Sequence, residues 1–208
     1  MSLQDNSITN DEINKLIYES KYAMNSLNIS FPYIYVAEAI NLNWHDILFA
    51  IDKGYLGHQS AIEHAEVELG KSDTCPQAVL NLACLYPEEA VFPHSIHPYI
   101  DELSNLIAAE EKAKSQDKMM YVLLKWVYEH KDDYVDPFYA VEAIWDDFHL
   151  AEAIASITSI IWYSPSEWQE LGSVEKNRAR AFDRWKHFLD EQQQKWKNNP
   201  ESASTNEG

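Results

Sequence analysis

The chain predicts an all-α fold, a single domain of roughly eight to ten short helices, and three observations carry that expectation. Apolar residues recur at helical spacing nearly everywhere. Helix-start signals (Ser, Thr, Asn or Asp before an apolar run) and stop signals (Gly or Pro after one) divide those runs. No alternating apolar–polar run bounded by turn residues is present, and 5 Gly are few for a turn-rich β-barrel. The short helices in succession suggest solenoid-like pairs, although they follow no fixed repeat period.

Thr9 with Glu12 forms a capping-box signature for a helix through Leu27. Ser30-Phe31-Pro32 opens a short element that reaches Ile40. Asn43 caps a helix carrying Trp44, Ile47, Leu48 and Ile51, and Gly54 ends it. Segment 58–69 sets Ala61, Ile62, Ala65 and Leu69 on one face and stops at Gly70. Pro76 begins a helix with Val79, Leu80, Ala83 and Cys84, which Pro87 closes. Pro87, Pro93 and Pro98 mark 87–98 as the main internal loop. Helix resumes near Pro98 and runs toward Glu111, with Ile100, Leu103, Leu106 and Ile107 inward. Segment 117–130 holds Met119, Met120, Val122, Leu123, Leu124, Trp126 and Val127, which predicts a central buried helix. Asp136-Pro137 pairs a cap with proline at the first helical position and opens a helix to Phe148.

Beyond it, a helix is expected over 150–162, and Ser164-Pro165 with Glu167 signals another start. The last helix runs from Ser173 to about Lys197, with Val174, Phe182, Trp185, Phe188, Leu189 and Trp196 among its apolar positions. Residues 1–197 therefore form the domain, and 198–208 form a disordered tail.

Charge is the chain's strongest compositional bias. It carries 34 Asp+Glu against 16 Lys+Arg, a formal net charge of −18. Such an excess suits solubility alone, and it also suits attraction of a basic partner. The last helix runs against the trend. Lys176, Arg178, Arg180, Arg184, Lys186, Lys195 and Lys197 face only Glu175, Asp183, Asp190 and Glu191 there. These bases are expected to hold that helix on the acidic body rather than to touch nucleic acid, because the rest of the chain repels phosphate.

Several function classes find no support. There is no Gly-rich phosphate loop and no G-x-S-x-G setting for a nucleophile, so no enzyme and no cofactor are expected. Cys75 and Cys84 lie in an apolar stretch and read as buried free thiols of a reducing, cytoplasmic compartment. The first residues show no basic region followed by an apolar core, so no signal peptide is expected. No apolar run approaches the ~20 residues that cross a bilayer. His94-x-x-His97 is the one tight histidine pair, and it lacks a third ligand, so no metal is expected. Asp132, Asp133 and Asp136 lack calcium-loop spacing, and the pair Asp146-Asp147 matches a metal site only loosely.

The acidic-aromatic stretch 129–147, EHKDDYVDPFYAVEAIWDD, is the candidate binding surface. Its loop presents Asp132, Asp133 and Asp136 together, and Glu142 and Asp146 share a helix face at four-residue spacing. Tyr134, Tyr139 and Trp145 lie among them. Carboxylates rimming aromatics imitate the phosphates and bases that a nucleic-acid-binding surface expects. Asp132, Asp133, Tyr134, Asp136, Glu142, Trp145 and Asp146 are therefore the expected partner-binding residues. The competing reading is a solvated helix end, with Asp136 only capping and the aromatics turned inward.

Three segments resemble a bacterial all-helical domain-of-unknown-function family, number twenty-two forty-seven. The first runs Leu124-Lys125-Trp126-Val127-Tyr128-Glu129, then Asp132 or Asp133 with Tyr134, Asp136 and Pro137, then Asp147-Phe148. The second is Trp44-His45-Asp46-Ile47-Leu48 through Gly54-Tyr55-Leu56 to Ala61-Ile62-Glu63. The third is Trp185-Lys186-His187-Phe188-Leu189. The resemblance brings no catalytic residues. It implies kinship with small acidic proteins that act as immunity partners of secreted toxins, including contact-dependent growth inhibition systems. The expected function is thus an immunity protein that binds and neutralises a cognate toxin, a basic nuclease domain, with no direct contact to nucleic acid or membrane. The alternatives are a helical protein–protein adaptor and a metal-dependent hydrolase using the acid pairs with His94 and His97. Oligomeric state is not legible in the sequence.

Overall fold

A computed structural model describes residues 25–71, 74–86, 88–148 and 173–197, and these are predominantly helical. The helices are α1 (Tyr33–Ala39), α2 (Trp44–Asp52), α3 (Gln59–Leu69), α4 (Gln77–Ala83) and α5 (Pro93–Asn105), then α6 (Ala109–Lys112), α7 (Ser115–Glu129), α8 (Pro137–Asp147) and α9 (Val174–Lys197). Among the described residues there is no strand, only an isolated parallel bridge between Phe31 and Leu56. No described helix is long and apolar enough to cross a membrane. The readings made for residues 1–24, 150–162, Ser164 to Glu167 and the tail lie outside the described residues.

Local chemistry sets the ends of α2. The Asn43 side chain accepts from the N–H groups of His45 and Asp46, and the Asp46 carboxylate accepts from the Asn43 N–H, a complete capping box. At the other end Gly54 takes φ 71°, in the left-handed region that costs a residue with a Cβ. That turn lets the Gly54 N–H reach the Ile51 carbonyl at 2.9 Å and the Tyr55 N–H reach the Ala50 carbonyl at 2.8 Å. Orphan carbonyls of the last turn are satisfied in this way.

Helix α7 is the centre of the molecule, as its composition predicts. Met119, Met120, Tyr121, Val122, Leu123, Leu124 and Val127 are all buried. A helix apolar on nearly all sides needs neighbours on several faces, and α2, α8 and α9 supply them. On the far side, α5 packs between α2 and α4, and α3 packs on α4.

The proline-rich segment departs from expectation. Helix α5 begins at Pro93, so much of the presumed loop is helical and Pro98 lies inside the helix. Proline suits the first helical position, where its missing N–H has no intrahelical acceptor in any case. Pro98 sits about one turn further in and forfeits only the bond to the His94 carbonyl. Helix α5 also stops earlier than expected, at Asn105, which leaves Leu106 67% exposed rather than inward. Residues Ser26 and Leu27 form a turn, closed by Asn28 N–H on the Asn25 carbonyl at 2.9 Å, instead of ending a helix. In α4 the buried face is Ala78, Val79 and Leu82, with Leu80 exposed. Cys84 is exposed and Cys75 half-buried, so neither thiol is a core residue.

Candidate functional site

The acidic stretch begins where α7 ends. Glu129 accepts from the Tyr35 hydroxyl at 2.8 Å and pairs with Lys125, so it is already engaged. A 3-10 turn, Lys131–Asp133, follows and leaves Asp132 and Asp133 exposed. Asp136 then caps α8, its Oδ1 accepting from the Phe138 N–H at 3.1 Å. The same oxygen accepts from Arg178 Nη2 at 3.3 Å, and that guanidinium lies 5.2 Å from the Phe138 ring and 5.5 Å from the Phe182 ring. Asp136 therefore both starts α8 and fastens α9 to it.

Helix α8 turns Phe138, Ala140, Val141 and Ile144 into the core. Its outer face carries half-buried Glu142 and exposed Asp146, one turn apart as their spacing predicts. Partial burial, with Asp146 and Asp136 nearby, pushes the Glu142 carboxyl above its ordinary pKa. Among the described residues, no cation pairs with Asp132, Asp133, Glu142 or Asp146. Tyr134 and Trp145 are half-buried and rest against the core. Burial and Asp133 raise the Tyr134 phenol pKa. The exposed apolar side chains here are instead Tyr139, at 66%, and Val135, at 105%. The sequence placed Tyr139 among the acids, but nothing in its spacing distinguished it from Tyr134 and Trp145 as the solvent-facing ring.

The basic helix is held differently from expectation. Among the described residues, Arg178 to Asp136 is the one ion pair joining α9 to the body, and His187 pairs with Glu191 within α9 at 3.2 Å. Aromatic packing carries most of the attachment, with Trp185 5.4 Å from Tyr128 and Phe182 4.8 Å from Phe138 between ring centroids. The C-terminal end is clamped by Asn41. Its N–H donates to the Trp196 carbonyl at 3.1 Å and its side-chain amide to the Lys197 carbonyl at 3.2 Å.

A family model described as an uncharacterized protein conserved in bacteria (DUF2247) matches residues 33–193, well over half of the chain. The chain belongs to that family. No curated protein and no solved structure matches it. The DUF2247 match opens at the first residue of α1 and closes within α9, so every candidate surface residue falls inside it.

A second polar cluster escaped the sequence reading. Asp46, 1% exposed, pairs with Lys118 Nζ at 2.6 Å and accepts from the Ser115 hydroxyl at 2.5 Å. Lys118 also donates to the Asn41 carbonyl at 3.1 Å. His45 Nδ1 lies 3.0 Å from Ser115 Oγ. The one hydroxyl hydrogen points at Asp46, so the imidazole nitrogen is the donor of that contact. Serine, histidine and aspartate are thus adjacent in this chain, but their proton order is wrong for a nucleophile. Ser115 gives its hydrogen to the carboxylate rather than to the imidazole, and it is buried away from any substrate. The capping half of this cluster, Asn43 with Asp46, was readable locally; Lys118 lies 72 residues further on.

The two histidines of the alternative metal reading diverge. His94 lies against Phe92, with ring centroids 5.5 Å apart. His97 faces His58, with centroids 5.5 Å apart, and its Nε2 is 4.0 Å from Asp52 Oδ1. Among the described residues, no group of three or more His, Cys, Asp or Glu side chains could hold a metal ion.

Proposed function

We propose that this protein is an immunity protein, which binds a basic toxin domain and blocks it by occupancy, without a reaction of its own. The observation that carries the reading is the set Asp132, Asp133, Glu142 and Asp146. These four carboxylates lack a cation among the described residues, on a chain of net charge −18. Uncompensated surface carboxylates raise encounter rates with a basic partner by roughly 10- to 1000-fold at low salt. Half-buried Glu142 adds a local incentive, since a partner's ammonium or guanidinium relieves the field of its acidic neighbours. Asp136 is a support in this scheme, because its carboxylate is spent on the α8 cap and Arg178. Tyr134 and Trp145 brace the surface from beneath.

A bacterial cell provides the test. The polypeptide encoded directly upstream of this gene is expressed with and without the protein, and growth is followed. Rescue by the parent protein, lost when Asp132, Asp133, Glu142 and Asp146 are all changed to Lys, is the expected result. Rescue by the charge-reversed variant, or a partner association that ignores ionic strength, would defeat the proposal.

A further inference from the structure

We infer that His130 is a proton-responsive lock at the C-terminal end of α7, which fixes the following turn more firmly when its ring is charged. The lock needs no partner, so it stands or falls independently of the function proposed above. His130 caps α7, with φ −106° and ψ 19°. Its backbone N–H donates to the Trp126 carbonyl at 3.0 Å, and its ring Nδ1 lies 2.9 Å from the same oxygen. A carbonyl has no hydrogen to give, so Nδ1 carries one in either charge state, and Nε2 is where a proton is gained or lost. The ring also lies over the Trp126 indole, with centroids 3.8 Å apart and planes 24° apart. Residues four apart share a helix face, which permits this stack. The indole is itself held by Phe31 and Tyr35, which meet it edge to face at 5.4 Å and 5.0 Å. The His130 carbonyl, in turn, accepts from the Asp133 N–H at 2.9 Å and closes the 3-10 turn Lys131–Asp133. One residue thus joins the end of α7 to that turn.

A proton on Nε2 strengthens both ring contacts. The last carbonyls of α7 carry partial negative charge, which favours a cation in the final turn. An indole face attracts a cation within about 6 Å. The surrounding charges are mostly acidic. Glu129 precedes the ring, pairs with Lys125 and accepts from the Tyr35 hydroxyl of α1. Asp132 and Asp133 follow it, exposed. The adjacent cation, Lys131, holds its ammonium 5.1 Å from the Tyr128 ring centre. Tyr128 lies about 200° round α7 from Trp126, so that ammonium is turned away from the stack. Asp183 and Asp190 of α9 act on Tyr128, and Asp136, the cap of α8, is held by Arg178. Half-burial opposes charging, but only in part, whereas the carbonyl and indole contacts are direct. The folded chain therefore favours the charged ring. The stability it supplies is present below about pH 6.5, the value for an unfolded-chain histidine, and is lost as pH rises, the reverse of a buried neutral histidine.

The test compares the full-length parent with His130→Gln, which keeps a donor but never charges, at about pH 8 and about pH 5. Exchange of the Asp133 N–H is measured against the unfolded-chain rate at each pH. The protection of the parent over the variant should grow roughly two- to fivefold from the higher pH to the lower, the scale of a cation in a helix's last turn. An equal ratio at both values means that the ring only packs, and overturns the lock. Tryptophan emission gives a second reading, because an imidazolium stacked on an indole quenches it. Emission of the parent should fall as the ring gains its proton, and that step should be absent in both His130→Gln and Trp126→Phe. A step of the same size in His130→Gln overturns the assignment. Histidine 15N spectra of the parent require no variant. Nδ1 of His130 should stay protonated throughout while Nε2 titrates, and an Nδ1 without hydrogen at about pH 8 overturns the arrangement.

Discussion

Replacing Asp46 by alanine tests how the core is closed. The carboxylate is 1% exposed and holds Lys118 Nζ at 2.6 Å, the Asn43 N–H at 2.8 Å and the Ser115 hydroxyl at 2.5 Å. Its removal strands a buried ammonium that keeps, among the described residues, only the Asn41 carbonyl, and breaking a buried pair this way costs about 3–5 kcal/mol. Loss of half the capping box is contained in that figure rather than added to it. A domain of this size is stable by only ~5–15 kcal/mol, so Asp46→Ala should unfold at markedly lower urea. The damage should spread, because Lys118 steadies Asn41, and Asn41 clamps the last turn of α9. Urea titration at neutral pH, followed by circular dichroism, gives the loss; amide exchange in the last turn of α9 reports the spread. The double variant Asp46→Leu with Lys118→Met should lose much less than the sum of the single variants, since no charge is left stranded. A loss below about 1 kcal/mol for Asp46→Ala, or strict additivity of the pair, would refute the reasoning.

Other expectations follow from the same physics. His64 is buried between Tyr33 and Trp44, and burial lowers its pKa to about 4. The unfolded imidazole takes up its proton first, so the His64 contribution is complete above about pH 6.5. It falls as pH drops toward 4, by about 3 kcal/mol in all. His45 and His58, also lowered mainly by burial, act with the same sign. Urea titrations between pH 7 and 4 should show this slope, and His64→Gln should flatten it; an equal slope in that variant counts against the assignment. Arg178→Ala breaks a half-exposed pair and should cost about 1 kcal/mol or less, whereas Asp136→Ala also removes a helix cap and should cost more. Thermal melts of the two variants rank them, and the reverse order would contradict the capping role. Gly54→Ala should cost roughly 1–2 kcal/mol, because a Cβ is introduced at φ 71°. A neutral result in chemical unfolding would mean that the turn relaxes.

Legibility followed the range of the interaction. Asn43, Asp46, Gly54, Asp136 and Pro137 act on backbone groups within four residues of themselves, so the limits they set were readable. Helix α7 was readable because a run apolar on all sides has to be central. Pro93 and Pro98 misled, since proline is compatible with a first turn and with a loop alike, and only the packing of α5 between α2 and α4 selects the helix.

By itself the sequence determined the all-helical class, the acidic excess and the position of its densest stretch, because composition and spacing are properties of the chain alone. Tertiary structure decided which members of that stretch are free. It spent Asp136 on a cap and on Arg178, drew Tyr134 and Trp145 against the core, left Val135 and Tyr139 in solvent, and left Asp132, Asp133, Glu142 and Asp146 without a cation among the described residues. It also joined Asp46 to Lys118. These outcomes depend on which sides of α8 are covered by α7 and α9, a matter of contacts between residues far apart in sequence, which the local periodicity of either helix does not encode.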